Sequence, residues 1–262
     1  MDLGLQDKSV FVAAASKGLG KASALAFASE GAKVTIASRS LEQLEAARDD
    51  IHAATGSKVE IVQMDVFREE DIRQAVLAAA SAHGGIDVLV TNTGGPSPGT
   101  FATLANEDWE RGFQLCLMSA IKLIREALPH MRKAGEGRIV NLASSSVKQP
   151  IDGLLLSNVF RAGIAALTKS LASELAGDRI LINTVAPGRI ATDRLLQLDE
   201  AKAKEIGRSM EEVQAQAIAQ IPLGRLGDPA EFARMVAFYG SFANTYVTGQ
   251  SLLVDGGMVK AL

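Results

Sequence analysis

The chain has 262 residues, 47% hydrophobic and 22% charged, enough for the core of one large α/β domain or two small ones. A formal charge of −3 and an aromatic content of 5% speak against nucleic acid or an anionic membrane as the main partner. The single cysteine, Cys116, excludes an internal disulfide and leaves no set of thiolates for a metal. In chain order, short apolar runs fall at 9–15, 33–38, 59–64, 86–92, 138–144, 180–186 and 251–255. They are too short for most helices and several are rich in β-branched residues, so they read as strands. Several are apolar at nearly every position, the pattern of strands covered by helices on both faces. Between them, 41–54 and 70–83 have helical spacing; in the first, Leu41, Leu44, Ala47 and Ile51 share a face. This alternation predicts an α/β fold, a doubly wound parallel sheet of about seven strands, in one domain spanning 1–262.

Residues 192–221 break the rhythm with an amphipathic helical excursion before the last strand. Loops at the carboxyl ends of strands border the ligand crevice in such sheets, which makes the segment a candidate lid. A peripheral helix pair or an oligomer contact fits the same description. No stretch approaches the roughly 18 apolar residues of a membrane span. No secretory signal is visible at the start, so the expectation is a cytoplasmic protein with no membrane partner.

The first strand runs into AAASKGLGKAS, with Gly18 and Gly20 where strand gives way to helix. Glycine there lets backbone approach a pyrophosphate, which a helix N-terminus attracts; an ordinary βα turn also looks like this. The stretch resembles the T-G-x-x-x-G-x-G loop of the short-chain dehydrogenase/reductase family, with Ala13 and Ala14 in place of its Thr-Gly. Asp65–Val66, NTGG at 92–95, APG at 186–188 with Thr192 beyond, and VTGQSLLVDGG at 247–257 are similar to further motifs of that family, in order along nearly the whole chain. The resemblance implies a Rossmann-type fold and a nicotinamide cofactor held by Ser16, Lys17, Gly18, Leu19, Gly20, Arg39, Asp65, Val66, Asn92, Gly94, Arg161, Pro187, Gly188 and Thr192. It also implies a homotetramer, with contacts through 106–133 and 154–177. The second strand ends in Ser38 and Arg39 rather than in a carboxylate, and Lys17 sits in the glycine loop. Two cations flanking one pocket favour NADP(H) over NAD(H), although each alone also reads as a solvated charge.

The family assembles Asn, Ser, Tyr and Lys around the nicotinamide, the tyrosine passing the proton. Matching on AGIAALTKSLASELA puts Ser157 at the tyrosine position, Arg161 at the lysine position, Ser144 at the serine position and Cys116 at the asparagine position. Catalytic expectations therefore rest on Ser144, Ser157 and Arg161, with Ser145 and Ser146 as alternatives for the first. An alkyl hydroxyl is a far poorer acid than a phenol, and a guanidinium is a poor proton shuttle. Tyr239, Tyr246, His52, His83 and His130 map away from the site, whereas Lys148 and Asp152 lie in the loop between Ser144 and Ser157. A water held by Ser144, Ser157 and Arg161 is another proton source. Arg189 and Arg194 follow the P-G motif and offer a grip on a carboxylate or phosphate, unless they are plain surface charge. Two functions remain open: an NADP(H)-dependent oxidoreductase of a small-molecule carbonyl or alcohol with altered proton transfer, or a silent NADP(H)-binding sensor or partner subunit.

Overall fold

All seven apolar runs become strands: β1 (Ser9–Ala13), β2 (Lys33–Ser38), β3 (Val59–Gln63), β4 (Val88–Thr91), β5 (Gly137–Leu142), β6 (Ile180–Pro187) and β7 (Ser251–Val254). The computed structural model describes residues 1–261. The strands pair in parallel in the order β3-β2-β1-β4-β5-β6-β7. The helices are α1 (Gly18–Ser29), α2 (Leu41–Thr55), α3 (Glu69–His83), α4 (Asn106–Phe113), α5 (Ser119–Ala134), α6 (Leu155–Leu175), α7 (Asp193–Ile206), α8 (Met210–Ile218) and α9 (Pro229–Tyr239).

Successive residues of a strand point to opposite faces, and here both faces are covered. Val10 and Val12 of β1 pack with Phe27 of α1, Leu44 of α2 and Phe232 of α9. Phe11 and Ala13 pack with Ile72 of α3, Leu123 of α5 and Leu175 of α6 on the other side. Each fully buried large side chain of this kind contributes about 1.5–3 kcal/mol. The ends of the helices follow from local chemistry. The Ser40 hydroxyl accepts from the Gln43 amide at 3.3 Å to start α2, which ends at Gly56 with φ of 72°. Asp228 and Glu231 form a capping box at α9 with Pro229 in its first turn.

The chain crosses from one half of the sheet to the other between β1 and β4, whose Val10 and Val88 are paired. The turns following these two strands therefore splay apart and leave a crevice at their carboxyl ends. Ala14, just after β1, holds a left-handed φ of 47°. It stands where the resembling motif has glycine, so the backbone shape persists without the residue that ordinarily allows it. That conformation costs an L-residue about 1–2 kcal/mol, against about 0.5–1 kcal/mol for the greater freedom of glycine in the unfolded chain. Ala14→Gly is accordingly expected to raise Tm by about 1–3 °C in thermal unfolding. A lowered midpoint would mean the turn carries no such strain.

Residues 192–221 fold as two capped helices. The Thr192 hydroxyl accepts from the Leu195 amide at 3.4 Å, and Ser209 with Glu212 forms a capping box at α8. Leu195, Ala203, Val213 and Ile221 bury the inner face, and Asp199 of α7 makes an ion pair with Arg189 beyond β6.

Candidate functional site

A cleft of about 870 Å³ runs along the carboxyl ends of β1, β2, β4, β5 and β6 and reaches α7. At its first end stand Ser16, Lys17, Gly18, Leu19, Ser38, Arg39, Ser40, Gln43 and Val66, with no carboxylate among them. The N-terminus of α1 has no side-chain cap and no acidic residue in its first turn, so its amide donors and partial positive charge stay available. Gly18 takes a φ of 58°, and Gly20 is packed so closely that a Cβ would stand 2.4 Å from the Ala14 carbonyl oxygen. The Asn92 Nδ2 donates to that same carbonyl at 3.0 Å, which ties the turn after β4 to the turn after β1. Ser38 donates to the Ser16 hydroxyl at 3.0 Å, and Ser16 to Gln43 Oε1 at 3.4 Å. Gly20 and Asp65 do not line the cleft themselves. The Asp65 carboxylate accepts from the Phe67 amide at 3.1 Å and so shapes the turn that presents Val66.

At the other end, Ser157 and Arg161 lie one helical turn apart on α6 and face the cleft together with Ser144, Thr93, Gly94, Pro187, Gly188 and Thr192. Arg161 is 6% exposed and Ser157 8%. The Arg161 guanidinium donates to the Leu142 carbonyl at 2.9 Å and to Thr93 Oγ1 at 3.2 Å, two acceptors that fix it in the cleft wall. Ser144 accepts from the Ser146 amide at 3.2 Å, and the Ser146 and Ser157 hydroxyls stand 3.4 Å apart. Cys116 sits in a π-helical turn, Gln114–Met118, between α4 and α5. Such turns gather at functional sites, yet the sulfur is buried against Leu156 and Phe160 and does not line the cleft. Burial pushes its thiol pKa up, against the opposing pull of Arg161 and Arg194, which is the wrong direction for a nucleophile.

Among the described residues, no tyrosine or histidine lines the cleft. Tyr239 packs edge-on to Phe238, and Tyr246 is exposed. Asn158 bonds both backbone groups of Ile151 at 3.0 Å, and the loop pinned there leaves Lys148 and Asp152 exposed outside the cleft. Of the two arginines after the P-G motif, Arg189 is neutralised by the buried Asp199, which removes it as an anion grip. Arg194 lines the cleft and donates to the Pro96 carbonyl at 3.0 Å. Arg194 is exposed as a residue, and partial desolvation of its guanidinium pushes its pKa down. Sequence reading missed Thr93, Ser40 and Gln43, gave Ser146 only as an alternative to Ser144, and noted Ser38 without assigning it to the site. Only Ser38, at the carboxyl end of β2, and Thr93, inside a quoted motif, carried a positional signal.

A family model described as enoyl-(acyl carrier protein) reductase matches residues 13–259. The 3-oxoacyl-[acyl-carrier-protein] reductase FabG of Thermotoga maritima is 34% identical over 255 residues, covering 97% of this chain and 99% of that protein. The NADPH-dependent reductase BacG of Bacillus subtilis is 30% identical over 259 residues, covering 98% and 100%. The L-sorbose reductase of Gluconobacter frateurii, solved with NADPH and L-sorbose, superposes with a TM-score of 0.94 at 32% identity over 100% of both chains. The motifs, the strand order and these likenesses agree: the chain belongs to the short-chain dehydrogenase/reductase family, on its 3-oxoacyl-[acyl-carrier-protein] reductase-like branch.

Proposed function

We propose that the chain is an NADP(H)-dependent oxidoreductase of a carbonyl or alcohol, in which Ser157 and Arg161 replace the phenol and ammonium its family uses to move the proton. The observation that carries this reading is one continuous cleft. It has Lys17 and Arg39 without a competing carboxylate at one end, and Ser144, Ser157 and the buried Arg161 at the other. The relatives lend support, since BacG is named as NADPH-dependent and the sorbose reductase was solved with NADPH. Lys17 and Arg39 would hold the 2′-phosphate, and Ser16, Gly18 and Leu19 the pyrophosphate at the start of α1. Val66, presented by Asp65, would meet the adenine. Asn92, Gly94, Pro187, Gly188 and Thr192 would meet the nicotinamide half. When bound, the nicotinamide supplies or accepts the hydride.

Ser144 and Ser157 orient the substrate oxygen, and Arg161 stabilises the negative charge that grows on it. Neither a serine hydroxyl nor a guanidinium is an adequate acid near neutral pH, so the proton comes from a water held by these three side chains. Residues 192–221 close over this end as a lid, and the chain assembles as a homotetramer through α4, α5 and α6, which light scattering tests.

Replacing Arg39 by Asp removes a charge-assisted contact to the 2′-phosphate and adds repulsion. The NADPH-over-NADH affinity ratio is expected to fall about 100-fold or more in fluorescence titrations. An unchanged ratio sinks the cofactor assignment. The joint loss of the tyrosine, lysine and asparagine side chains favours a second reading, a cofactor-binding sensor or partner subunit without turnover. Tight NADPH binding without oxidation across ketones, quinones, 3-oxoacyl thioesters and oxo-acids would select it.

A further inference from the structure

The reactive end of the cleft holds two guanidiniums, Arg161 and Arg194, and neither has a carboxylate within ion-pairing distance among the described residues. Arg189, two residues beyond the end of β6, shows the contrast: it sits beside Asp199 and its charge is spent. Two aspartates also line the cleft, Asp108 and Asp193. The Asp108 carboxylate is committed to the Ala105 amide at 3.1 Å, and Asp193 pairs with no described cation.

The two free guanidiniums converge on one short piece of chain. Arg161 donates to Thr93 Oγ1 at 3.2 Å. Arg194 lies over Gly95, where a Cβ would stand 2.9 Å from its Nη2, and donates to Pro96. Thr93 and Gly95 are two residues apart, at most about 7 Å of backbone. Arg161 gives two bonds to the protein and Arg194 one, so most of the five N–H donors of each fork remain unused. A local excess of positive charge around a partly desolvated pocket favours an anionic guest, and a planar fork matches carboxylate or phosphate oxygens in pairs.

We propose that the substrate is an anionic carbonyl compound whose acid group is held by Arg194 while its carbonyl oxygen faces Arg161, Ser144 and Ser157. This rests on the oxidoreductase reading above and names its substrate class. In the reduction, hydride from NADPH forms the new C–H bond at the carbonyl carbon. The C=O π pair moves to oxygen, which takes a proton from water, and the products are NADP⁺ and a hydroxy acid or its phosphate counterpart. Arg194 anchors one end of the molecule and thereby sets which carbonyl carbon is presented, so it is a specificity residue. The 3-oxoacyl group in the names of the FabG relatives carries no acid beside the reacting carbonyl, so this substrate class differs from theirs.

The test uses the full chain saturated with NADP⁺, a dead-end complex for oxo-compounds, so that binding is read without turnover. Calorimetric titrations compare 4-methyl-2-oxopentanoate and 3-oxobutanoate with their methyl esters, and dihydroxyacetone phosphate with dihydroxyacetone. The expected result is that charged members bind at least 10-fold more tightly than their neutral partners, with the carboxylate and phosphate arms showing which acid fits. Arg194→Met is expected to collapse that charged-over-neutral preference to about one, and Arg194→Lys to restore part of it, with NADP⁺ affinity read in parallel as the check on folding. Equal binding of acids and esters, a preference that survives in Arg194→Met, or no binding by any of the six below about 10 mM overturns the proposal. NADPH oxidation separates the two layers. Acid-selective binding without oxidation keeps the anion site and removes the turnover reading. Reduction of neutral ketones without acid preference keeps turnover and removes the anion site.

Discussion

The double variant Ser157→Tyr/Arg161→Lys is expected to oxidise NADPH with neutral ketones about 10²–10⁴-fold faster than the unaltered chain. That is the contribution ordinarily made by one positioned general acid. The geometry makes the exchange local: both positions lie on the face of α6 that opens into the cleft, four residues apart, beside Ser144. A phenol of pKa about 10 next to an ammonium is a far better proton donor than an alkyl hydroxyl. The exchange has a cost, because lysine cannot reproduce the paired bonds of Arg161 to Leu142 and Thr93. Ser157→Tyr alone therefore serves as the intermediate step. The pH profile gives an independent readout. Among the described residues, no side chain lining the cleft belongs to a type that ordinarily titrates between pH 6 and 9, so turnover by the unaltered chain is expected to be flat there. The double variant gains a titrating step on the alkaline side. A folded, NADPH-binding double variant with an unchanged rate would show that residues 157 and 161 do not face the reacting carbonyl.

Gly20→Ala is expected to lower NADPH affinity at least 10-fold and Tm by several degrees. The added Cβ would stand 2.4 Å from the Ala14 oxygen, 2.8 Å from Asn92 Nδ2 and 2.9 Å from the Ala15 Cα. Two of these three neighbours are backbone, so the turn must move. Overpacking of this kind costs about 1–3 kcal/mol, and the Asn92–Ala14 hydrogen bond adds about 1 kcal/mol if it breaks. The same displacement moves the Ser16–Leu19 segment and the start of α1, which couples the stability loss to the affinity loss. Fluorescence titration together with thermal unfolding checks both, and an alanine variant with unaltered affinity would detach the loop from the cofactor.

The sheet was legible in the sequence because strands covered on both faces leave little room for polar residues. The runs at 33–38 and 180–186 became β2 and β6 within one residue. The helix expected at 41–54 closed one residue later, because Gly56 supplies the left-handed cap. The turn after β1 was legible for a similar reason: its backbone shape is written in glycines, and Ala14 keeps the shape even where the letter changed. The reactive end was less so. Whether Arg189 or Arg194 stays free depends on Asp199 folding back from α7, a tertiary pairing without a local signature. The acceptors that fix Arg161 are a main-chain carbonyl and a threonine far away in the chain. The π-helical turn around Cys116 leaves no trace in hydrophobic spacing.

The buried pairing of Arg189 with Asp199 bears on how the cleft opens. Swinging α7 outward would break the ion pair between Arg189 and an Asp199 that is only 3% exposed. The first turn of α7, which carries Arg194, is thereby tied to the loop after β6, and the anion site proposed there would lose little ordering entropy on binding. The lid motion proposed for residues 192–221 is then carried by α8 and the Gly207 bend beyond that anchor.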